Sequence, residues 1–172
     1  MRLADIACYV AKRAGRNRYH VFSGEDTLEI SAVGELRLVT DIRQALLDQR
    51  LILYFQEIAC IQNNDETRHY EVLLRMQSVD GNIINPAVII PTAERFNIMS
   101  QIDIWVVSEA IKTLSGLQTQ GHDIAFSINL SGTSLGDDAL RKCIRNSIEQ
   151  YQPKVVSSPW MILAPGLVHL LI

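Results

Sequence analysis

The chain has 172 residues, 48% of them hydrophobic and 20% charged, with a formal net charge of -3. That is enough for one globular domain with a sizeable core, and the mild acidity excludes a broad nucleic-acid footprint. Three scattered cysteines, Cys8, Cys60 and Cys143, form no CxxC pattern, which excludes a disulfide framework and fits a reducing cytoplasm.

No secretory signal is expected at the start, because Asp5 and Lys12 interrupt any apolar h-region. Leu3, Ile6, Ala7, Val10 and Ala14 recur at helical spacing, so residues near 3–14 are expected to form an amphipathic helix stopped by Gly15. Lys12, Arg13, Arg16 and Arg18 make a local basic cluster, of the kind that is usually a solvated helix face. Tyr19, Val21 and Phe22 alternate as in a short strand, and the polar stretch 23–34 reads as a linker.

From Glu35 to Gln49 the apolar period is again helical. Leu51–Ala59 is a strand by its β-branched and aromatic content, and His69–Met76 is a second, with a turn at Asn63-Asn64-Asp65 between them. Asp80-Gly81-Asn82 marks another turn. Pro86 opens a short helix over Ala87–Phe96, broken near Pro91, and Ile102–Leu117 is a strong helix ended by Gly121. Ile124–Leu130 is a third, mostly apolar strand, and Asp137–Tyr151 is a helix with Leu140, Ile144 and Ile148 on one face. Strand, helix, strand in this order predicts a parallel α/β sheet. Trp160–Ile172 is the longest apolar stretch, too short to span a bilayer and interrupted by Pro165, so no membrane contact is expected.

Glu71 lies on the second strand and Asn129 near the end of the third. Polar groups at the C-terminal ends of parallel strands point into the site, and a carboxylate with a carboxamide oxygen suits a hard divalent cation such as Mg²⁺ or Mn²⁺. Arg75, four residues after Glu71, can hold a phosphate oxygen. Metal plus arginine is the minimum for phosphodiester hydrolysis, although a lone glutamate on a strand is, without a motif, more often a surface or salt-bridged residue.

The strings LILYFQEI, YEVLLRM, PTAERFNIMSQIDIWVV and SINLSGTSL match in order and spacing the patterns LxLYFQPI, xEALLRW, IPxAExxGxxxxIDxWVL and SxNLSxxSL. Over roughly residues 41–140 the chain therefore resembles the EAL family of cyclic-di-GMP phosphodiesterases. That resemblance implies an α/β fold built as a modified (β/α)₈ barrel, and hydrolysis of cyclic-di-GMP with Mg²⁺ or Mn²⁺. It makes Glu71 and Asn129 metal ligands, Arg75 a phosphate contact, and Gln56 a neighbour of a guanine. Four positions depart from the pattern: Val72 for alanine, Glu57 for proline, Met76 for a tryptophan beside the substrate, and Ile104 for arginine.

The first residues, ADIACYVAK followed by Gly15-Arg16-Asn17-Arg18, resemble the last helix and turn of a GGDEF diguanylate cyclase domain, in which Lys12 and Arg16 match GTP-phosphate contacts. The GGDEF signature itself is not in the chain, so these contacts are expected to be vestigial. The expected organisation is a GGDEF remnant over 1–24, a linker over 25–40, the N-terminal part of an EAL domain over 41–152, and an aberrant tail over 153–172.

After Pro153 the resemblance stops. The family would continue with a metal-binding glutamate, an Asp-Asp pair (DDFGTG) and a catalytic lysine. Trp160 and Met161 have single codons, and permitted codons for Trp160–His169, read from the third base of the tryptophan triplet, spell Asp-Asp-Phe-Gly-Thr-Gly-Leu-Gly-Ser. The tail reads either as that strand translated out of frame or as an ordinary buried strand or hydrophobic peptide. Three strand–helix units cannot close an eight-stranded barrel, so an incomplete (β/α) barrel is expected, with the third strand an unpaired edge and a tendency to self-associate. The expectation is a catalytically inactive fragment of an EAL phosphodiesterase. The alternative is a non-catalytic module that pairs with an intact EAL protein or binds cyclic-di-GMP weakly.

Overall fold

The computed structural model describes residues 32–59, 67–154, 163–164 and 167–171, with the separate positions 11, 18, 19 and 21. The expected helix over 3–14, apart from a helical Ala11, the basic pair Lys12 and Arg16, the turn at 63–65 and most of the tail lie outside the described residues. Tyr19 and Val21 are not in a strand, and both are exposed. The chain divides into two compact units, Met1–Asp41 and Ile42–Ile172. Helix α1 (Ala32–Leu47) starts three residues upstream of the expected Glu35.

The second unit carries the sheet. Its strands are β1 (Leu51–Ile58), β2 (Arg68–Gln77), β3 (Ile83–Ile84), β4 (Ile124–Ser131), β5 (Leu163–Ala164) and β6 (Leu167–Leu171). Their order is β1-β2-β4-β6-β5, with β3 beside β2. Helices α2 (Pro86–Arg95) and α3 (Met99–Thr119) link β2 to β4, and α4 (Asp138–Tyr151) follows β4.

One expectation about the sheet is corrected. β2 and β4 are parallel, as the helical crossover requires, but β1 and β2 are antiparallel. The connection between Ile58 and Arg68 is too short to carry a crossover, so the chain turns back beside itself. A second correction concerns the edge of β4. It is covered by β6, which runs antiparallel with Asn129 opposite His169 and Ile128 opposite Leu170.

The helices form where the sequence caps them. Asn85 accepts from the Ala87 N–H at 2.9 Å, and Pro86 occupies the first turn, where its missing donor costs nothing. Pro91 does not break α2, which runs through it to Arg95. Asp137 caps α4 by accepting from the Ala139 N–H at 2.8 Å. Gly121, at φ 91°, makes the left-handed turn after α3 that a side chain would strain.

α3 packs on β4 and on α4. Its buried residues Ile102, Val106, Val107, Ala110, Ile111 and Leu114 form the core with the buried strand residues Val72, Met76, Phe126, Ile128 and Leu130. Alternation along the strands turns the remaining side chains, the polar ones among them, to the other face of the sheet. The sheet does not close on itself, and the fold is the expected incomplete (β/α) barrel. Among the described residues no helix is long and apolar enough to cross a membrane.

Candidate metal and phosphate site

Strand register decides which side chains share a face. Gln56 is opposite Glu71 and Ile52 opposite Arg75 in the β1–β2 ladder, while Glu71 is beside Ser127 across β2–β4. With a side-chain period of two, Gln56, Glu71, Arg75 and Asn129 all fall on one face, opposite that of Val72 and Met76. The structure thus puts the four residues singled out in this part of the sequence on one face, and brings two of them, Glu71 and Asn129, into contact.

The Asn129 side-chain Nδ2 donates to Glu71 Oε1 at 2.7 Å, partly buried. This bond turns the other end of the carboxamide inward: Asn129 Oδ1 is buried and accepts no hydrogen bond. A buried acceptor left without a partner costs about 1–3 kcal/mol, so such an atom calls for a ligand. A carbonyl-type oxygen beside a carboxylate is the donor chemistry of a hard divalent cation, and Glu71 and Asn129 fit one. Among the described residues no group of three or more His, Cys, Asp or Glu side chains gathers around a common point.

Arg75 is held in place twice. Its Nη1 donates to the Leu74 carbonyl at 2.7 Å, and its guanidinium lies over the Tyr54 ring, 5.2 Å from the centroid. The remaining N–H groups are available to an anion. Gln56 is exposed on the edge strand next to this pair.

Tyr54 was not singled out by the sequence. The signal was there, since it precedes Gln56 by one strand period. Met76, placed by sequence beside the substrate, is instead fully buried on the helix-covered face, opposite Leu51. Glu57 is exposed and pairs with Arg68 at 3.8 Å. Val72 fills the core at 3% exposure.

Asp103 is a second residue that pattern reading missed. It is 2% exposed on α3, and its Oδ2 accepts from the Ser131 N–H at 3.1 Å. Burial pushes its carboxyl up to about 6, against the opposing pull of the Ser134 side chain and the Ser131 N–H. A lone carboxylate within the apolar run IDIWVV was the available clue.

Comparison with known proteins places the domain as a whole in a family. The EAL domain family matches residues 39–157. The chain is 37% identical over 137 residues to the cyclic di-GMP phosphodiesterase PdeB of Shewanella oneidensis, covering 80% of this chain and 16% of that protein. It is 33% identical over 146 residues to the bifunctional diguanylate cyclase/cyclic di-GMP phosphodiesterase MucR of Pseudomonas aeruginosa, covering 84% of this chain and 21% of the relative. Among solved structures it resembles the FimX EAL domain of Pseudomonas aeruginosa bound to c-di-GMP. That likeness has a TM-score of 0.63 at 27% identity and spans 70% of this chain and 47% of that one. It also resembles the PaMucR phosphodiesterase in its c-di-GMP complex, with a TM-score of 0.60 at 28% identity and shares of 68% and 47%. The chain therefore spans less than a quarter of these curated relatives and about half of the solved domains. On the family match and the PdeB identity, the chain belongs to the EAL domain family.

Proposed function

We propose that this chain is the front part of a cyclic-di-GMP phosphodiesterase domain, which holds a divalent cation and the dinucleotide's phosphate but does not hydrolyse it. The reading is carried by one observation, the unpartnered Asn129 Oδ1 beside the Glu71 carboxylate. Glu71 and Asn129 would hold Mg²⁺ or Mn²⁺, which supplies charge neutralisation at the phosphate and an acidified water when bound. Arg75, braced on Tyr54, orients the phosphate, and Gln56 lies where a base edge would pass. The names of PdeB and MucR and the c-di-GMP bound in the FimX and PaMucR structures support this ligand.

Hydrolysis needs a base to take the water's proton; Glu71 would be committed to the cation, and no group of three or more His, Cys, Asp or Glu side chains gathers among the described residues to supply another. A site with one carboxylate binds weakly, on the order of 1 mM. Isothermal titration calorimetry with cyclic-di-GMP and Mn²⁺ tests the binding, and chromatography of the nucleotide tests the inactivity. Binding that is lost in Glu71→Gln and Arg75→Ala, with no linear product, is the expected result. Steady formation of the linear dinucleotide would overturn the inactive reading, and unchanged binding in Glu71→Gln would overturn the site.

The finer organisation follows the same proposal: a GGDEF remnant over 1–24, a linker to residue 40, the EAL part over 41–152, and a tail from 153 that is the Asp-Asp strand out of frame. The dual description of MucR, matched over 84% of this chain, supports the GGDEF–EAL order. The coding DNA tests the tail: if the alternative frame does not continue as EAL sequence, that part fails.

A further inference from the structure

We infer that Asp103 is a positioning residue for the candidate site: its buried carboxylate fixes the C-terminal end of β4, and through it the Asn129 carboxamide beside Glu71. The inference rests on the proposed Glu71–Asn129 cation site and concerns what holds it in register.

Ser131, whose N–H Asp103 accepts, is the last residue of β4 and follows Asn129 by one strand period. It begins a tight turn. The Ser131 carbonyl accepts from Ser134 N at 3.0 Å, the Ser134 carbonyl accepts from Asp137 N at 2.9 Å, and the Ser131 and Thr133 hydroxyls bond at 2.8 Å. The far end of the turn is tied to the same helix, since the Ser100 hydroxyl donates to Asp137 Oδ2. α3 therefore grips the β4–α4 turn at two points, one at each end, a turn of helix apart. Of the two, Asp103 acts nearer the site and is the buried one.

The position is an expensive one for a carboxylate. No lysine or arginine pairs with Asp103 among the described residues, and Glu94 of α2 is the charged group that adds to its discomfort. An apolar side chain would suit the surrounding Ile102 and Val106 better on packing grounds. What the carboxylate supplies, and an apolar residue cannot, is an acceptor at the strand end. Asn129 and Glu71 must keep one hydrogen bond between two different strands, and a shift of a few tenths of an ångström in β4 would loosen it.

The test compares Mn²⁺ affinity, followed by manganese electron paramagnetic resonance, with thermal melting in the full chain. Asp103→Asn keeps an acceptor oxygen and is expected to keep wild-type Mn²⁺ affinity. Asp103→Leu removes it and is expected to lose about tenfold in affinity while still melting cooperatively. If Asp103→Leu binds Mn²⁺ as the wild type does while Glu71→Gln abolishes binding, the positioning role is overturned and the cation site stands. If Glu71→Gln leaves Mn²⁺ binding intact, the cation site fails, and the positioning role is then judged by NMR alone. That measurement also decides if Asp103→Leu does not fold. In ¹⁵N spectra of the wild type, the Asn129 side-chain amide signals should shift with a midpoint near the Asp103 value of about 6, and Asp103→Asn should remove that component. Asn129 signals that follow the same titration in both proteins overturn the inference.

Discussion

Asn129 and Glu71 sit 58 residues apart in the chain and meet through one hydrogen bond of 2.7 Å across the parallel β2–β4 pair. The bond satisfies one end of the carboxamide and leaves the other without a partner, as the proposed cation site requires.

Replacing the donor makes that dependence visible. Asn129→Asp puts a second carboxylate against Glu71, and like charges at about 4 Å cost on the order of 4 kcal/mol near a protein surface. The expected outcome is a fall of about 5 °C or more in melting temperature without metal, reversed by Mn²⁺. Differential scanning calorimetry with and without Mn²⁺ checks it, and a melting temperature indifferent to Mn²⁺ speaks against the site.

The arginine and its aromatic support separate by magnitude. Arg75→Ala is expected to weaken cyclic-di-GMP binding at least tenfold through loss of a charged hydrogen bond. Tyr54→Leu removes only the ring beneath the guanidinium and should cost about twofold to fivefold. Equal losses in the two variants, measured by calorimetry, would mean that Tyr54 touches the ligand directly.

Asp103 predicts a pH dependence of stability with a definite sign. Its carboxyl is raised from 3.8 to about 6 in the folded protein, so the fold binds the proton more tightly than the unfolded chain does. Stability from this group therefore grows as pH falls from about 6 towards 4, and at pH 7 the buried charge costs on the order of 3 kcal/mol. Asp137 acts in the opposite sense, because the Ser100 hydroxyl and the Ala139 N–H hold its carboxyl below the usual range. The difference between wild type and Asp103→Asn isolates Asp103. The variant should be more stable at pH 7 and should lose part of the gain seen towards pH 4.5 in urea melts. Parallel pH profiles for the two proteins would refute this.

The strand that covers β4 has a measurable duty. Deleting residues 155–172 uncovers the β4 edge and is expected to raise light scattering at micromolar concentration. A truncated chain that stays monomeric in sedimentation would show that the edge is protected by other means.

Much of the site was legible because it is local. The β-branched and aromatic content of LILYFQEI and YEVLLRM put Gln56, Glu71 and Arg75 on strands, and the family resemblance singled them out. Chain order did not reveal that β1 runs antiparallel to β2, because the direction depends on a connection too short for a helix. Pro91 suggested a break that α2 tolerates: the loss of one donor at an exposed position is outweighed by the packing of Ile89 and Ala93. Met76 was misplaced because a match to a family pattern carries no information about the pleat. Asp103 and the β4–β6 pairing are long-range relationships, set by which surfaces meet once the helices have packed, and no window of the sequence contains them.

The antiparallel run of β6 along β4 also sets the terms of any association with another protein. A strand offered by a second chain competes with one tethered to the same molecule, whose effective concentration is on the order of millimolar. Assembly through this edge is therefore an exchange, in which the incoming strand gains only the difference between its own pairing and that of Leu167–Leu171.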